Sequence, residues 1–408
     1  MLLRKCLSII LIVFLFCVSV SIAQLPPGAF LNEVYSGYNV TNDIVYGHNT
    51  NFFTGIPEDL KLDLYEPNEA VNYRRPLLVY IHGGGFTGGD KTTDKAVDFG
   101  EYFAKRGFVV ASINYRLGIE LDGTTVDNFQ TTYMATQDAK SAIRFFKDTA
   151  DQYCLDTAAF FVTGTSAGGV LALTCAYWDQ PEANAAVLNT DTLGLLDASS
   201  GNVGFSSHIN SVISCWGGIT DTTWLQYEVE PNLLFHGTED STIPYMQGYN
   251  QDSLYLYGGF IIHRASLEYG VESYLKPFVG FGHGLNTNSP QFDTLLMMTD
   301  TFIYSHLPPN IGSACAVFTT HPVSATATIV SNIIDGDIIL NNKSSEESYN
   351  GIVSVYDAAG QLMISQQVHI KSNARVTIRI PSVPTGLYFL KIHNAVQTTT
   401  HRLFIISQ

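Results

Sequence analysis

The sequence predicts an α/β protein with a mainly parallel central sheet, followed by a small β-sandwich. Short runs rich in branched and aromatic residues, at 77–81, 108–117, 159–162, 212–216, 232–235 and 274–279, alternate with helical stretches and glycine-rich turns. Runs of this kind have no polar side, as expected of strands covered by helices on both faces. After Leu307-Pro308-Pro309 the pattern changes to short alternating strands punctuated by Gly and Pro, the pattern of an antiparallel fold.

At 408 residues the chain exceeds one ordinary domain. Arg4 and Lys5 precede an apolar run over residues 7–20, and Ser21-Ile22-Ala23 supplies small residues at a cleavage site. Residues 1–23 therefore read as a secretory signal peptide cut after Ala23, with an uncleaved anchor as the alternative. The remaining divisions are a first domain at 24–309, a Ser/Thr/Ala/Pro-rich linker at 310–330 and the sandwich at 331–408. Apolar residues make up 46% and charged ones 14%, enough for a large core, and the net charge is −16. Such a surface repels nucleic acid and anionic membranes and suits a neutral or weakly charged substrate.

Outside the leader the cysteines are Cys154, Cys175, Cys215 and Cys315. Cys175 falls on a helix and Cys215 in a strand, so both read as buried thiols. Cys154 and Cys315 lie in loops near element ends and are the better disulfide candidates in an exported chain. No metal-ligand spacing, phosphate loop or dinucleotide fingerprint is present, so the expected chemistry needs no cofactor.

In chain order, the first strand, at 77–81, leads into His82-Gly83-Gly84-Gly85-Phe86. Three glycines free several amides to point at one spot, as a site for developing negative charge requires. His82 suits bracing that loop better than acting as a base. The second strand, at 108–117, is followed by a crossover helix at 137–147, marked by Ala139, Ala142, Ile143 and Phe146. The third, at 159–162, runs into Gly164-Thr165-Ser166-Ala167-Gly168 and then a small-residue helix. Strand, sharp turn and helix form the context in which a serine hydroxyl is lifted clear of the backbone. A serine nucleophile needs a base, and the base an orienting carboxylate. Asp240 lies in the loop after the strand at 232–235, with Glu239 and Asp221 as other carboxylates. Asp221 better suits capping the segment after it. His283 stands between Gly282 and Gly284, just past the strand at 274–279, and is the candidate base. His236 reads as a structural histidine. Residues 177–211 suit either a cap over the site or a surface connection. Tyr245, Tyr249, Tyr255 and Tyr257 lie between acid and base and either line an acyl or aryl pocket or pack in the core.

The HGGGF run, Asn114-Tyr115-Arg116-Leu117, the GTSAGG run and the Asp240 and His283 loops occur in one order. Together they resemble the α/β-hydrolase carboxylesterases, close to the hormone-sensitive-lipase-like group, over about residues 30 to 308. The resemblance implies an α/β-hydrolase fold and a serine carboxylesterase. Ser166 would be its nucleophile, His283 its base and Asp240 its orienter, with the amides of Gly84, Gly85 and Ala167 as oxyanion hole. Thr165 departs from the acidic residue frequent in that group. Expected substrates are small-molecule or polymer-linked esters, polysaccharide acetyl and feruloyl esters among them. A serine peptidase and a non-catalytic surface-binding protein are the alternatives.

The tail resembles the C-terminal sorting domain of type IX secretion in Bacteroidota. The pieces that match are Val355-Tyr356-Asp357-Ala358-Ala359-Gly360, Pro384-Thr385-Gly386-Leu387-Tyr388-Phe389 and Arg402-Leu403-Phe404, without the usual Pro-Asn-Pro opening. The resemblance implies the type IX machinery as a partner and a secreted or surface location. A carbohydrate-binding module is the competing reading.

Overall fold

A computed structural model describes residues 25–118, 125–188, 190–250, 253–315 and seven tail strands between 332 and 405. Residues 1–23, expected to be a signal peptide, lie outside the described residues. The chain divides into two compact units, between residues 317 and 318.

The strands of the first unit's main sheet are β1 (Tyr38–Thr50), β2 (Pro57–Pro67), β3 (Arg75–Ile81), β4 (Val109–Ile113), β5 (Leu155–Thr165), β6 (Ser211–Cys215) and β7 (Asn232–Gly237), with β8 (Gln247–Tyr249) and β9 (Tyr255–Tyr257) forming a separate hairpin and β10 (Ser273–Phe278) closing the main sheet. Its order is β1-β2-β4-β3-β5-β6-β7-β10, eight strands. From β4 to β10 every pairing is parallel, while β1–β2 and β2–β4 are antiparallel. The helices are α1 (Asp94–Ala104), α2 (Thr125–Asp148), α3 (Ala167–Tyr177), the short α4 (Gln180–Ala186) and α5 (Thr190–Leu193), α6 (Gly259–Tyr269) and α7 (Pro290–Ser305).

The two-sided burial predicted for the strands is visible in β3. Leu77, Val79 and Ile81 point into a core shared with α2, α3 and α6, while Leu78 and Tyr80 point into one shared with α1 and α7. Successive side chains of a strand face opposite ways, so a fully apolar strand needs helices on both sides. The second predicted strand is cut short, because β4 stops at Ile113. Beyond it the Asn114 amide still donates to the Lys61 carbonyl of β2, but its side chain holds the loop before α1, accepting from the Lys91 amide through Oδ1 and donating from Nδ2 to Asp90. The crossover helix begins twelve residues earlier than its apolar periodicity suggested, at Thr125 in place of 137. The antiparallel β1–β2 pair was not anticipated, since β1 is largely exposed and irregular in register.

Residues 310–315, expected to open the linker, are instead tied to the first unit. The amides of Gly312 and Cys315 donate to Arg74 and Asn72 carbonyls, and Cys315 is joined to Cys154 in a disulfide. Cys175 and Cys215 are buried free thiols.

In the second unit the strands β11 (Asn332–Ile334), β12 (Asp337–Asn341) and β15 (Arg375–Arg379) form one antiparallel sheet. The strands β13 (Tyr349–Asp357), β14 (Leu362–Ile370), β16 (Gly386–His393) and β17 (Thr398–Ile405) form another, in the order β14-β13-β16-β17. Leu340 and Ile378 of the first sheet and Val353, Val355, Val368 and Ile370 of the second are buried, as in a sandwich with apolar inner faces. The turns at 358–361 and 380–385 lie outside the described residues.

Candidate active site

β5 runs straight into α3, and the turn between them is Ser166, with φ 57° and ψ −119°. A non-glycine residue in this region is strained by about 1–3 kcal/mol and persists only where the surroundings enforce it. The enforcement is local. The Ser166 amide donates to the Cys215 carbonyl at 2.9 Å, and the Ser166 carbonyl accepts from Val170 in the first turn of α3. A Cβ at Gly168 would come within 2.0 Å of the Ile81 carbonyl oxygen, so only glycine lets α3 start this close to β3.

Three side chains from distant segments meet at this turn. Ser166 Oγ lies 2.7 Å from His283 Nε2, and His283 Nδ1 lies 2.7 Å from Asp240 Oδ2. The Asp240 loop follows β7 and the His283 loop follows β10. The two strands are parallel neighbours, so both loops emerge at the end of the sheet that also carries Ser166. The Asp240 side chain is fully buried, whereas His283 retains 23% of its exposure and can reach a ligand. Oδ1 of Asp240 accepts from the Thr242 and Ile243 amides at 2.9 and 3.0 Å. Burial alone would raise the Asp240 carboxyl. Donors from His236 and His283, the nearby His283 charge and the Ile243 amide outweigh it and hold the group well below the usual carboxylate range.

Above Ser166 stands the glycine loop, with Gly84 at φ 121° and Gly85 at φ 61°. The amides of Gly84, Gly85 and Ala167 donate to no backbone acceptor among the described residues. Gly85 and Ala167 line the cavity beside Ser166, and Ala167 is the first residue of α3. His82 is buried and braces the loop: its ring stacks on Tyr115 at 4.4 Å, and Nδ1 contacts the Gly83 carbonyl at 2.7 Å. Burial lowers its pKa, which keeps it neutral.

The signal that the sequence left without a role is Arg116. It is 2% exposed and grips Asp138 of α2 through Nε and Nη2, at 2.8–3.0 Å. The same guanidinium donates to the Thr50 and Met134 carbonyls. Two residues on, the Gly118 amide donates to Phe86 at the end of the glycine loop. Arg116 thus anchors the segment that holds this loop in place.

A cavity of about 110 Å³ opens from Ser166, walled by Phe129, Val170, Trp178, Ile219, Trp224 and Leu256. The sequence offered Tyr245, Tyr249, Tyr255 and Tyr257 as its lining, and none of them lines it. On the β8–β9 hairpin Leu256 faces the cavity, so the alternation of the strand turns Tyr255 and Tyr257 to the other face, where they pack together. Residues 177–211 contribute only Trp178. The rest is bound sideways to α2, with Gln137 donating to the Leu193 carbonyl and Arg144 paired with Asp197. It is a connection beside the site. Asp221 accepts from the Thr223 amide and caps a short 3₁₀ turn, as expected, and Glu239 is exposed outside the relay. Among the described residues no His, Cys, Asp and Glu group is arranged to hold a metal ion.

Residues 62–229 match the BD-FAE family model. Liver carboxylesterase 1F of Rattus norvegicus is 33% identical over 131 residues, 31% of this chain and 23% of that enzyme. Juvenile hormone esterase of Tribolium castaneum is 28% identical over 136 residues, 32% of this chain and 23% of the esterase. The chain thus spans about a quarter of the length of these relatives. A thermophilic esterase of the planctomycete Thermogutta terrifontis, solved with butyrate bound, superposes with a TM-score of 0.50 at 23% identity, covering 69% of this chain and 96% of that one. The first unit has the α/β-hydrolase fold, and its sequence is similar to carboxylesterases over part of its length. Residues 330–406 match the secretion system C-terminal sorting domain. The chain is therefore a secreted or cell-surface protein, and among the described residues no helix is long and apolar enough to cross a membrane.

Proposed function

We propose that this α/β-hydrolase is a serine carboxylesterase working through an acyl-enzyme. The observation that carries the reading is the unbroken chain of two 2.7 Å contacts from Ser166 through His283 to Asp240, beside three unengaged amides. Ser166 attacks an ester carbonyl while His283 Nε2 takes its proton. Asp240 holds the proton of His283 on Nδ1 and stabilises the imidazolium. The amides of Gly84, Gly85 and Ala167 receive the oxyanion, each donor contributing roughly 3 kcal/mol. His283 then protonates the departing alcohol and afterwards activates the water that frees the acid.

The aromatic and aliphatic walls of the cavity suit an acyl or aryl group of modest size, attached to a small alcohol or to a polymer. Acetyl and feruloyl esters of polysaccharides fall within that class. The tail serves as an address read by the type IX machinery and removed on or after export.

Ser166→Ala tests the reading. Turnover of p-nitrophenyl acetate should fall by a factor on the order of a million, and labelling by a fluorophosphonate probe should disappear. Undiminished turnover rejects Ser166 as nucleophile. Hydrolysis rates on acetylated xylan, methyl ferulate and esters of graded chain length then rank the substrates.

A further inference from the structure

Asp240 contacts two histidines. His236, at the end of β7, is 1% exposed, and its Nε2 lies 3.4 Å from Oδ2, the oxygen that also serves His283. On the other side of the ring the Gly259 amide, which opens α6, donates to His236 Nδ1 at 3.2 Å. An amide N–H can donate to Nδ1 only if that nitrogen carries no proton. The neutral ring therefore bears its hydrogen on Nε2, where it is shared between the Ile243 carbonyl at 2.9 Å and Asp240 Oδ2. Adding a second proton would set Nδ1–H against the Gly259 N–H inside a buried site.

We propose that His236 is a positioning residue: an Nε2–H donor that holds the Asp240 carboxylate in orientation and draws charge from the oxygen facing His283. This rests on the triad reading given above. The carboxylate then has four donors, two backbone amides on Oδ1 and two imidazoles on Oδ2. The titratable groups facing this cluster are His236 from β7, His283 from the loop after β10, and Tyr245, whose ring meets His236 edge-on at 5.8 Å. Glu239, next in the chain, is exposed. The donor at His236 tempers the pull of Asp240 on the His283 imidazolium. Removing it strengthens that pull and lets the carboxylate swing.

The test uses the full chain and two substitutions. His236→Asn keeps an acceptor near the Gly259 amide but removes the donor to Asp240. Its acid limb in kcat/KM for p-nitrophenyl acetate should move up by about half a pH unit, with kcat down roughly tenfold and KM within about threefold. His236→Gln places an N–H near the Nε2 position and should return the limb to the parent value with most of kcat. Equal losses in both variants, or a parent-like pH profile in a folded His236→Asn, overturn the proposal. Should either variant fail to fold, nitrogen-15 shifts of the parent decide. At pH 7 His236 should show a protonated Nε2 and an unprotonated Nδ1, and the opposite tautomer overturns the proposal. Loss of ester turnover in the parent itself would instead reject the triad reading, which the tautomer measurement does not involve.

Discussion

Asp240→Asn is isosteric, yet the surroundings decide which way the amide must sit. Oδ1 accepts from two backbone amides, Thr242 and Ile243. The single oxygen of asparagine is therefore drawn to that side, and its NH₂ takes the place of Oδ2. There it faces His283 Nδ1, 2.7 Å from Oδ2 in the parent. A donor at that position makes Nδ1 the acceptor and drives the ring proton to Nε2, the atom that should accept the Ser166 proton. The base is then blocked by its own hydrogen. A wrong-tautomer triad loses about 10⁴ in kcat, close to 5.5 kcal/mol of barrier. The NH₂ also meets the His236 Nε2–H, but flipping it would set it against two backbone amides, so it stays on the His283 side. Stopped assays with p-nitrophenyl acetate at pH 7 should show the loss in kcat with KM little changed, and fluorophosphonate labelling of Ser166 should slow in parallel. A folded Asp240→Asn protein within tenfold of the parent rate would refute the tautomer argument.

Three further outcomes follow from other parts of the molecule. Ser166→Gly should abolish turnover yet raise Tm by about 2 °C in thermal unfolding, because glycine removes about 1 kcal/mol of strain at φ 57°; an unchanged or lower Tm counts against strain at the turn. Asp300 has one carboxylate oxygen on Arg106 at 3.2 Å and another buried without a partner, and burial, partly offset by Arg106, pushes its pKa up to about 7. The protonated form is thus favoured by folding, so its stabilisation is complete below about pH 4 and fades as pH rises through 7. Asp300→Asn should become more stable relative to the parent between pH 5 and 8, by up to about 4 kcal/mol in urea unfolding, and a gap independent of pH would contradict this. Burial pushes the thiols of Cys175 and Cys215 up to about 12, so native protein should resist iodoacetamide. Denatured without reductant, the chain lacking residues 1–23 should take up two labels by mass, and four would mean that Cys154 and Cys315 are not bridged.

The chemistry of the site was legible because each of its parts depends on a short local pattern. Glycines on both sides of Ser166 are required by the close approach of α3 to β3, Gly83 by the Thr165 carbonyl against it, and Gly84 and Gly85 by their positive φ values. The points that the sequence left open share a different cause. Tyr245, Tyr249, Tyr255 and Tyr257 could serve either as pocket walls or as packing, and the strand alternation of the hairpin turned Leu256 to the cavity instead. Residues 177–211 had no periodicity because hydrogen bonds to Gln137 and Arg144, distant in the chain, order them. The polar first half of α2 was unreadable for a similar reason: its Thr136 hydroxyl is matched by Thr174 across the core at 2.7 Å.

The amino-acid order by itself determined the layering of buried strands and helices, the sharp turn at Ser166, the donor-rich glycine loop and the antiparallel tail. All of these depend on side-chain period and backbone freedom within a few residues. Only the tertiary structure decided that the Asp240 and His283 loops meet at Ser166, that Arg116 holds the glycine loop through its neighbours, and that His236 shares the Asp240 carboxylate. Those choices depend on the parallel register of β7 and β10 and on which groups are left in the dry interior, where an unpaired charge or donor is costly. Partners separated by tens to hundreds of residues leave no local trace, because it is the sheet that brings them together.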